Sequence, residues 1–196
     1  MTSNYKLDMT TMFAYHDALR RDLEPVARMT ARSAGWDLFK KFLHAHHAAE
    51  DEALWPFTRQ ALIDRTKDVG LLDEMEAEHA RLGPLLDDID EALDRGDPAP
   101  RATADLAARL REHLTHEEEA ALPVVDRTLD EEQWMQFGEV SAGKIGADMS
   151  TFLPWLLDGA DPERTRAILG HLPEAAQQDY RSEWRPAYEA TYWWAT

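Results

Sequence analysis

The chain has 196 residues, 44% of them hydrophobic, enough for one domain with a full core or one domain plus a sizeable appendage. It carries 38 acidic against 21 basic residues, a formal charge of −17 with histidine neutral, so its surface repels phosphate backbones and anionic lipid and argues against nucleic-acid and membrane-surface partners. Cysteine is absent, which excludes disulfides, thiolate metal sites and cysteine nucleophiles.

Four long segments carry the apolar period of a helix. In the first, Met9, Met12, His16, Leu19 and Leu23 share a stripe running toward Arg32, with Pro25 placed to kink or shorten it. Ser33-Ala-Gly35 makes the break. The second runs from about Trp36 to Arg65, with Phe39, Phe42, Leu43, His46, Glu50, Ala53, Leu54 and Phe57 on its inner face. The third, after Gly70, carries Leu72, Met75, His79, Leu82, Leu86, Ile89 and Leu93, and ends at Arg95-Gly96-Asp97-Pro98. The fourth, from about Arg101 to Leu129, turns Leu106, Leu110, His113, Glu117, Ala121 and Val124 inward.

Residues 131–196 differ in character, being rich in tryptophan (Trp134, Trp155, Trp184, Trp193, Trp194) and broken by Gly and Pro. Shorter helices are expected at about 131–145, 148–158, 162–171 and 174–193, with starts at Asp161-Pro162-Glu163 and Pro173-Glu174. No segment reads as a strand. The expected fold is all-α: an antiparallel up-down four-helix bundle over 6–130, with a Trp-rich helical extension over 131–196 packed on it. The extension is expected to cap the bundle; shielding an interior site from water and forming a homodimer contact are the alternatives. No apolar run approaches the ~20 residues of a membrane span, and Met1-Thr-Ser-Asn-Tyr-Lys-Leu-Asp lacks a signal-peptide pattern. A cytoplasmic protein is expected.

Two stretches repeat one another: His46-His-Ala-Ala-Glu50-Asp-Glu-Ala-Leu-Trp-Pro56 and His113-Leu-Thr-His-Glu117-Glu-Glu-Ala-Ala-Leu-Pro123. Each has histidine at zero, glutamate at +4, a further carboxylate at +5 and proline at +10. Each follows a helix with a lone inward histidine, His16 thirty residues before His46 and His79 thirty-four before His113. The chain reads as a helical hairpin written twice. Residues i and i+4 project from one helix face about one turn apart, so such a histidine and glutamate can hold one metal ion, or the glutamate can reach a second. A buried unpaired carboxylate costs several kcal/mol, roughly, unless it is neutralised or binds a cation. Six nitrogen and carboxylate ligands from four helices therefore point to a dinuclear site for iron or manganese.

Phase separates bystanders from ligands. His44, His47 and His116 fall off the inner stripes and are expected in solvent or just behind the ligands, and His171 on the surface. Spacing leaves three roles open for Asp51 and Glu118: bridging metals, hydrogen-bonding a liganding imidazole, or facing solvent.

These duplicated motifs, with His16-Asp-Ala-Leu-Arg-Arg-Asp-Leu and Glu78-His79-Ala-Arg-Leu, resemble the hemerythrin-like, or HHE cation-binding, family over about residues 9–130. The resemblance implies two non-haem iron ions, oxo- or hydroxo-bridged, with an open position for oxygen, nitric oxide or peroxide. Carried over by position, the ligands are His16, His46, Glu50, His79, His113 and Glu117, with the two glutamates bridging. Oxygen-carrying members have a further histidine four residues after the one on the third helix, where this chain has Gly83, and an aspartate at +5 on the fourth, where it has Glu118. Four histidines instead of five leave an open position or recruit a substitute, which favours peroxide chemistry over reversible oxygen carriage. The expected function is binding a small ligand for sensing, storage or detoxification. The alternatives are a peroxide-decomposing or oxidising di-iron enzyme and an iron-responsive interaction module.

Overall fold

The structure, a computed structural model, describes residues 5–62 and 66–195, with the backbone alone at Thr66. It is all-helical, with no strand among the described residues. The first long helix, α1, spans Thr10–Arg28, passing through Pro25 and ending one turn beyond it. The second, α2, covers 34–61; Ser33 caps its start by accepting a hydrogen bond from the Trp36 amide at 3.2 Å. Its expected end at Arg65 lies outside the described residues. The third, α3, spans Thr66–Asp94, beginning before Gly70 and continuing through it and Pro84. Gly96, with φ +76°, supplies the left-handed turn that closes it. The fourth, α4, covers 100–128.

Both α2 and α4 contain one π turn, at Glu50–Leu54 and Glu117–Ala121. Proline explains their position. Pro56 and Pro123 lack an amide hydrogen, and in a regular helix their rings would meet the carbonyl four residues back. The wider turn relieves that crowding: the amides of Trp55 and Leu122 donate five residues back, to the carbonyls of Glu50 and Glu117. A third π turn, Tyr180–Trp184, likewise ends two residues before a proline, Pro186. Each of the first two begins at the inward glutamate of its repeat.

The buried apolar residues form two clusters. One gathers Leu19, Leu23, Phe39, Phe42, Leu82, Leu86, Leu106 and Leu110; the other gathers Met9, Met12, Ala53, Leu54, Leu72, Met75, Ala121 and Val124. All four long helices contribute to both. Along α1 and α3 the chain passes from the second cluster to the first, and along α2 and α4 from the first to the second. Each long helix touches the next in sequence, and α4 touches α1.

Beyond residue 130 come α5 (Glu131–Ile145), α6 (Met149–Leu157), α7 (Pro162–Gly170) and α8 (174–189). Asp130 and Gln133 form a reciprocal capping box at the start of α5, and Asp161 caps α7 through the amides of Glu163 and Arg164. Helix α5 lies on α2, α6 and α7 lie on α1, and α8 packs on α6. Trp155 is fully buried and donates its indole N–H to Asp22 of α1 at 2.7 Å, while Arg21 reaches the carbonyl oxygens of Trp155 and Asp158. The extension therefore lies along the flank of α1 and α2. Near the C-terminus, a Cβ at Gly35 would sit 2.6 Å from the Trp194 ring, so only glycine admits this contact. Among the described residues no helix is long and apolar enough to cross a membrane.

Candidate metal centre

Between the two apolar clusters every long helix turns polar side chains inward: His16 from α1, His46 and Glu50 from α2, His79 from α3, His113 and Glu117 from α4. All six are buried. The structure brings the whole set together. His16 and His46 meet Nε2 to Nε2 at 3.1 Å, and His79 and His113 do the same at 3.1 Å. Glu50 lies between the pairs, with Oε1 3.2 Å from His46 Nε2 and Oε2 3.5 Å from His79 Nε2. Glu117 Oε2 lies 3.3 Å from His16 Nε2 and 3.9 Å from His113 Nε2. Each carboxylate thus reaches one histidine of either pair.

Carboxylates behind the rings set their orientation. His16 Nδ1 lies 2.8 Å from Glu118 Oε1, His79 Nδ1 2.8 Å from Asp51 Oδ1, and His113 Nδ1 2.8 Å from Glu78 Oε2. A ring donating Nδ1–H outward presents the Nε2 lone pair to the interior, the tautomer a metal requires. Arg20 grips both oxygens of Glu118 at 2.6 and 2.9 Å, and His116, half-buried, shares Glu78 at 2.9 Å. Of the three roles open to Asp51 and Glu118, the one taken is hydrogen-bonding an imidazole on the opposite hairpin.

The two hairpins match position by position, with informative exceptions. Tyr15 precedes His16 where Glu78 precedes His79. In place of a carboxylate behind His46, the Tyr15 ring stacks on it at 4.4 Å while its hydroxyl donates to the Phe42 carbonyl. The other exception narrows the phase argument for His47. It is buried, which excludes the solvent reading and leaves the position beside the ligands, with its ring stacked on His79 at 3.9 Å and edge-on to His113 at 5.2 Å. Its Nε2 has no hydrogen-bond partner among the described residues. The signal was present in the repeat: the matching residue is Leu114, wholly buried. At adjacent positions of one helix, His46 and His47 are both buried, so the buried face of α2 is wide at this level. His44 and His171 are exposed, as expected.

Ligand-type atoms fall into two compact groups, His16, His46, Glu50 and Glu117 in one and His47, His79 and His113 in the other, each within 4.8 Å. The donor set fits a metal centre on a specific observation. All four oxygens of Glu50 and Glu117 are buried without a hydrogen bond among the described residues, an arrangement costing several kcal/mol, roughly, unless a cation meets it. Electrostatics agree. Burial and the Glu117 charge push the Glu50 carboxyl well above its ordinary value. Burial opposes charge on His16, but Glu117 and Glu118 outweigh it and push the imidazole up to about 9. Burial would raise Glu117 too, and His16 with its neighbours holds it low instead. Burial and the surrounding histidines lower His46 and His47 well below the usual imidazole value, leaving both neutral. The raised Glu50 and His16 both mark places where the site favours added positive charge, which a metal cation would supply.

Comparison with curated proteins and with solved structures finds no match. A family model does match residues 8–125, from before α1 to the last turn of α4, and is described as the hemerythrin HHE cation binding domain. The chain belongs to the hemerythrin HHE cation-binding domain family.

Proposed function

We propose that this chain is a non-haem di-iron protein that binds oxygen, nitric oxide or peroxide for sensing, storage or detoxification. The observation carrying the proposal is the pair of buried carboxylates, Glu50 and Glu117, each lacking a hydrogen bond among the described residues and each facing histidines of both groups. His16 and His46 would hold one ion and His79 and His113 the other, with Glu50 and Glu117 shared. His47 joins the second group, an assignment supported by its unpartnered Nε2 beside His79 and His113. Alternating passage of the four long helices between the apolar clusters supports an up-down antiparallel bundle over 6–130 as the frame, with 131–196 as an appended layer.

Bound iron would supply redox chemistry and an open position for a small ligand. The protein's own side chains do the rest. Glu118, Asp51 and Glu78 hold His16, His79 and His113 in one tautomer, and Arg20 fixes Glu118 so that it stays ionised. The apolar clusters on either side exclude water and leave the buried charges no screening except a cation. Counting His47, on α2, gives a fifth imidazole although α3 has Gly83 rather than a second histidine. That supports ligand binding over the peroxide-decomposing enzyme that a four-histidine set would favour.

The test is iron content followed by optical spectra of the reduced protein under oxygen and under nitric oxide. New bands that reverse on removing the gas are expected. Vigorous oxygen evolution from added peroxide, with no reversible bands, would favour the enzyme instead. Spectra unchanged under every ligand would overturn both.

A further inference from the structure

A second feature lies beside the cluster, on its His46 side. Helices α1, α5, α6 and α7 line a cleft of about 270 Å³, partly open to solvent past the exposed Gly138 and Ala142, whose wall includes His46 of α2. The sequence of α5 makes the room. Gly138, Ser141 and Ala142 face it at helical spacing between the larger Trp134 and Ile145. A Cβ added at Gly138 would meet nothing within 4 Å. Tyr15 and Phe152, 5.1 Å apart between ring centroids, supply aromatic wall on the α1 and α6 sides.

The lining is largely apolar; of its two buried polar side chains, Tyr15 already donates its hydroxyl to the Phe42 carbonyl, which leaves His46. His46 is 3% exposed, and unlike His16, His79 and His113 it forms no hydrogen bond at Nδ1 among the described residues. Its Nε2 is engaged with His16 and Glu50. Concave, mostly apolar surface with a single placed polar group describes a small-molecule site better than a packing defect. Size narrows the occupant. An apolar cavity of roughly 150 Å³ holds benzene, so this one accommodates about eleven non-hydrogen atoms on the same scale. A diatomic gas needs far less room. Asp8 lies on the rim of a chain carrying −17, which disfavours an anion. A hydroxyl can donate to or accept from Nδ1 whichever tautomer His46 adopts.

We infer that the cavity formed by the C-terminal helices against α1 and His46 is a binding site for a neutral aromatic alcohol about the size of a fused two-ring system. The site is built from protein atoms alone, so it stands or falls independently of the iron assignment.

The experiment is calorimetric titration of 2-naphthol into the full chain, both iron-loaded and chelator-treated. Naphthalene and 2-naphthoate serve as comparisons. Saturable one-to-one binding is expected in both forms, weaker by roughly fivefold for naphthalene, which lacks the hydroxyl, and undetectable for the anion. Gly138→Phe and Ser141→Trp each fill the cavity from α5, and each should weaken 2-naphthol at least ~tenfold while the melting temperature holds. Absence of saturable binding, or equal affinity in both filled variants with their folds intact, overturns the inference. Binding in the chelated protein alongside a negative iron assay would sink the metal proposal and leave this one standing.

Discussion

Removing the metal tests the buried carboxylates quantitatively. Glu50 and Glu117 are wholly buried, and their four oxygens receive no hydrogen bond among the described residues. A ligand that binds only the folded chain stabilises it by RT ln(1 + [L]/Kd), about 2.7 kcal/mol at a hundredfold excess over Kd. For a chain of this length 1 kcal/mol moves the melting temperature by about 2–4 °C, so iron should raise it by about 5–11 °C over the chelated protein. The double variant Glu50→Gln, Glu117→Gln sharpens the test. It should abolish the iron-dependent gain, yet leave the chelated protein within about 2 kcal/mol of the chelated parent. A buried amide costs about 1–3 kcal/mol when unbonded, less than an unpaired carboxylate. Scanning calorimetry on four samples, two chains with and without iron, gives the answer. If the parent ignores iron while the amides destabilise by more than about 2 kcal/mol, the glutamates are struts for the histidines and the argument from desolvation fails.

Other side chains give separate checks. His46→Ala or His113→Ala should strip iron, while His116→Ala should leave most of it bound; elemental analysis of purified variants reads the difference. His47→Leu, which copies the matching Leu114, should keep the fold and lower iron retention against a chelator; unchanged retention would remove His47 from the ligand set. Glu118→Ala releases His16 Nδ1 and should weaken metal affinity about 10–100-fold in competition titrations. Trp155→Ala should cost about 3–5 kcal/mol by urea unfolding, since a fully buried indole and its bond to Asp22 are both lost. Burial would raise Asp90, but hydrogen bonds from Lys40 and Trp36 hold its carboxyl below the ordinary 3.8. Its contribution is therefore complete above that value and fades as pH falls through the lower folded one. Asp90→Asn should flatten the acid limb of a urea-stability profile taken from pH 3 to 7.

Much of this molecule can be read along the chain, because helices expose their period in the spacing of apolar residues. The stripes through Leu19, Phe42, Leu82 and Leu110 locate the long helices, and the inward histidines and glutamates fall on those stripes. Gly70 misled locally, since the third helix begins before it, whereas the first does stop at Arg28, short of Arg32, one turn after Pro25. A proline or glycine interrupts a helix only if tertiary packing does not outweigh a cost of about 1–3 kcal/mol, and at Gly70 it does. The π turns were hidden, although each lies just before a proline. Nothing in a regular 3.6-residue count announces the extra residue that makes room for Pro56 and Pro123. The burial of His47 escapes notice for a related reason. A stripe drawn through His46 and Glu50 treats the inner face as narrow, whereas four helices around a polar layer bury a wider arc of each. Placing the two repeats side by side would have shown Leu114 opposite His47. The carboxylates behind the rings were only partly legible. Asp51 and Glu118 stand out at +5, but their partners lie on the other hairpin, and contact between helices far apart in sequence leaves no mark on local spacing. The flank position of the extension had no local signal either, since Trp155 meets Asp22 across 133 residues of chain.

Anomalous diffraction from crystals of iron-loaded protein, collected at the iron absorption edge, interrogates the centre most directly. Two peaks are predicted, one beside His16 and His46 and the other beside His47, His79 and His113, with Glu50 and Glu117 reaching both. A map with no peak between the helices, from protein grown and crystallised with iron in excess, would contradict the account.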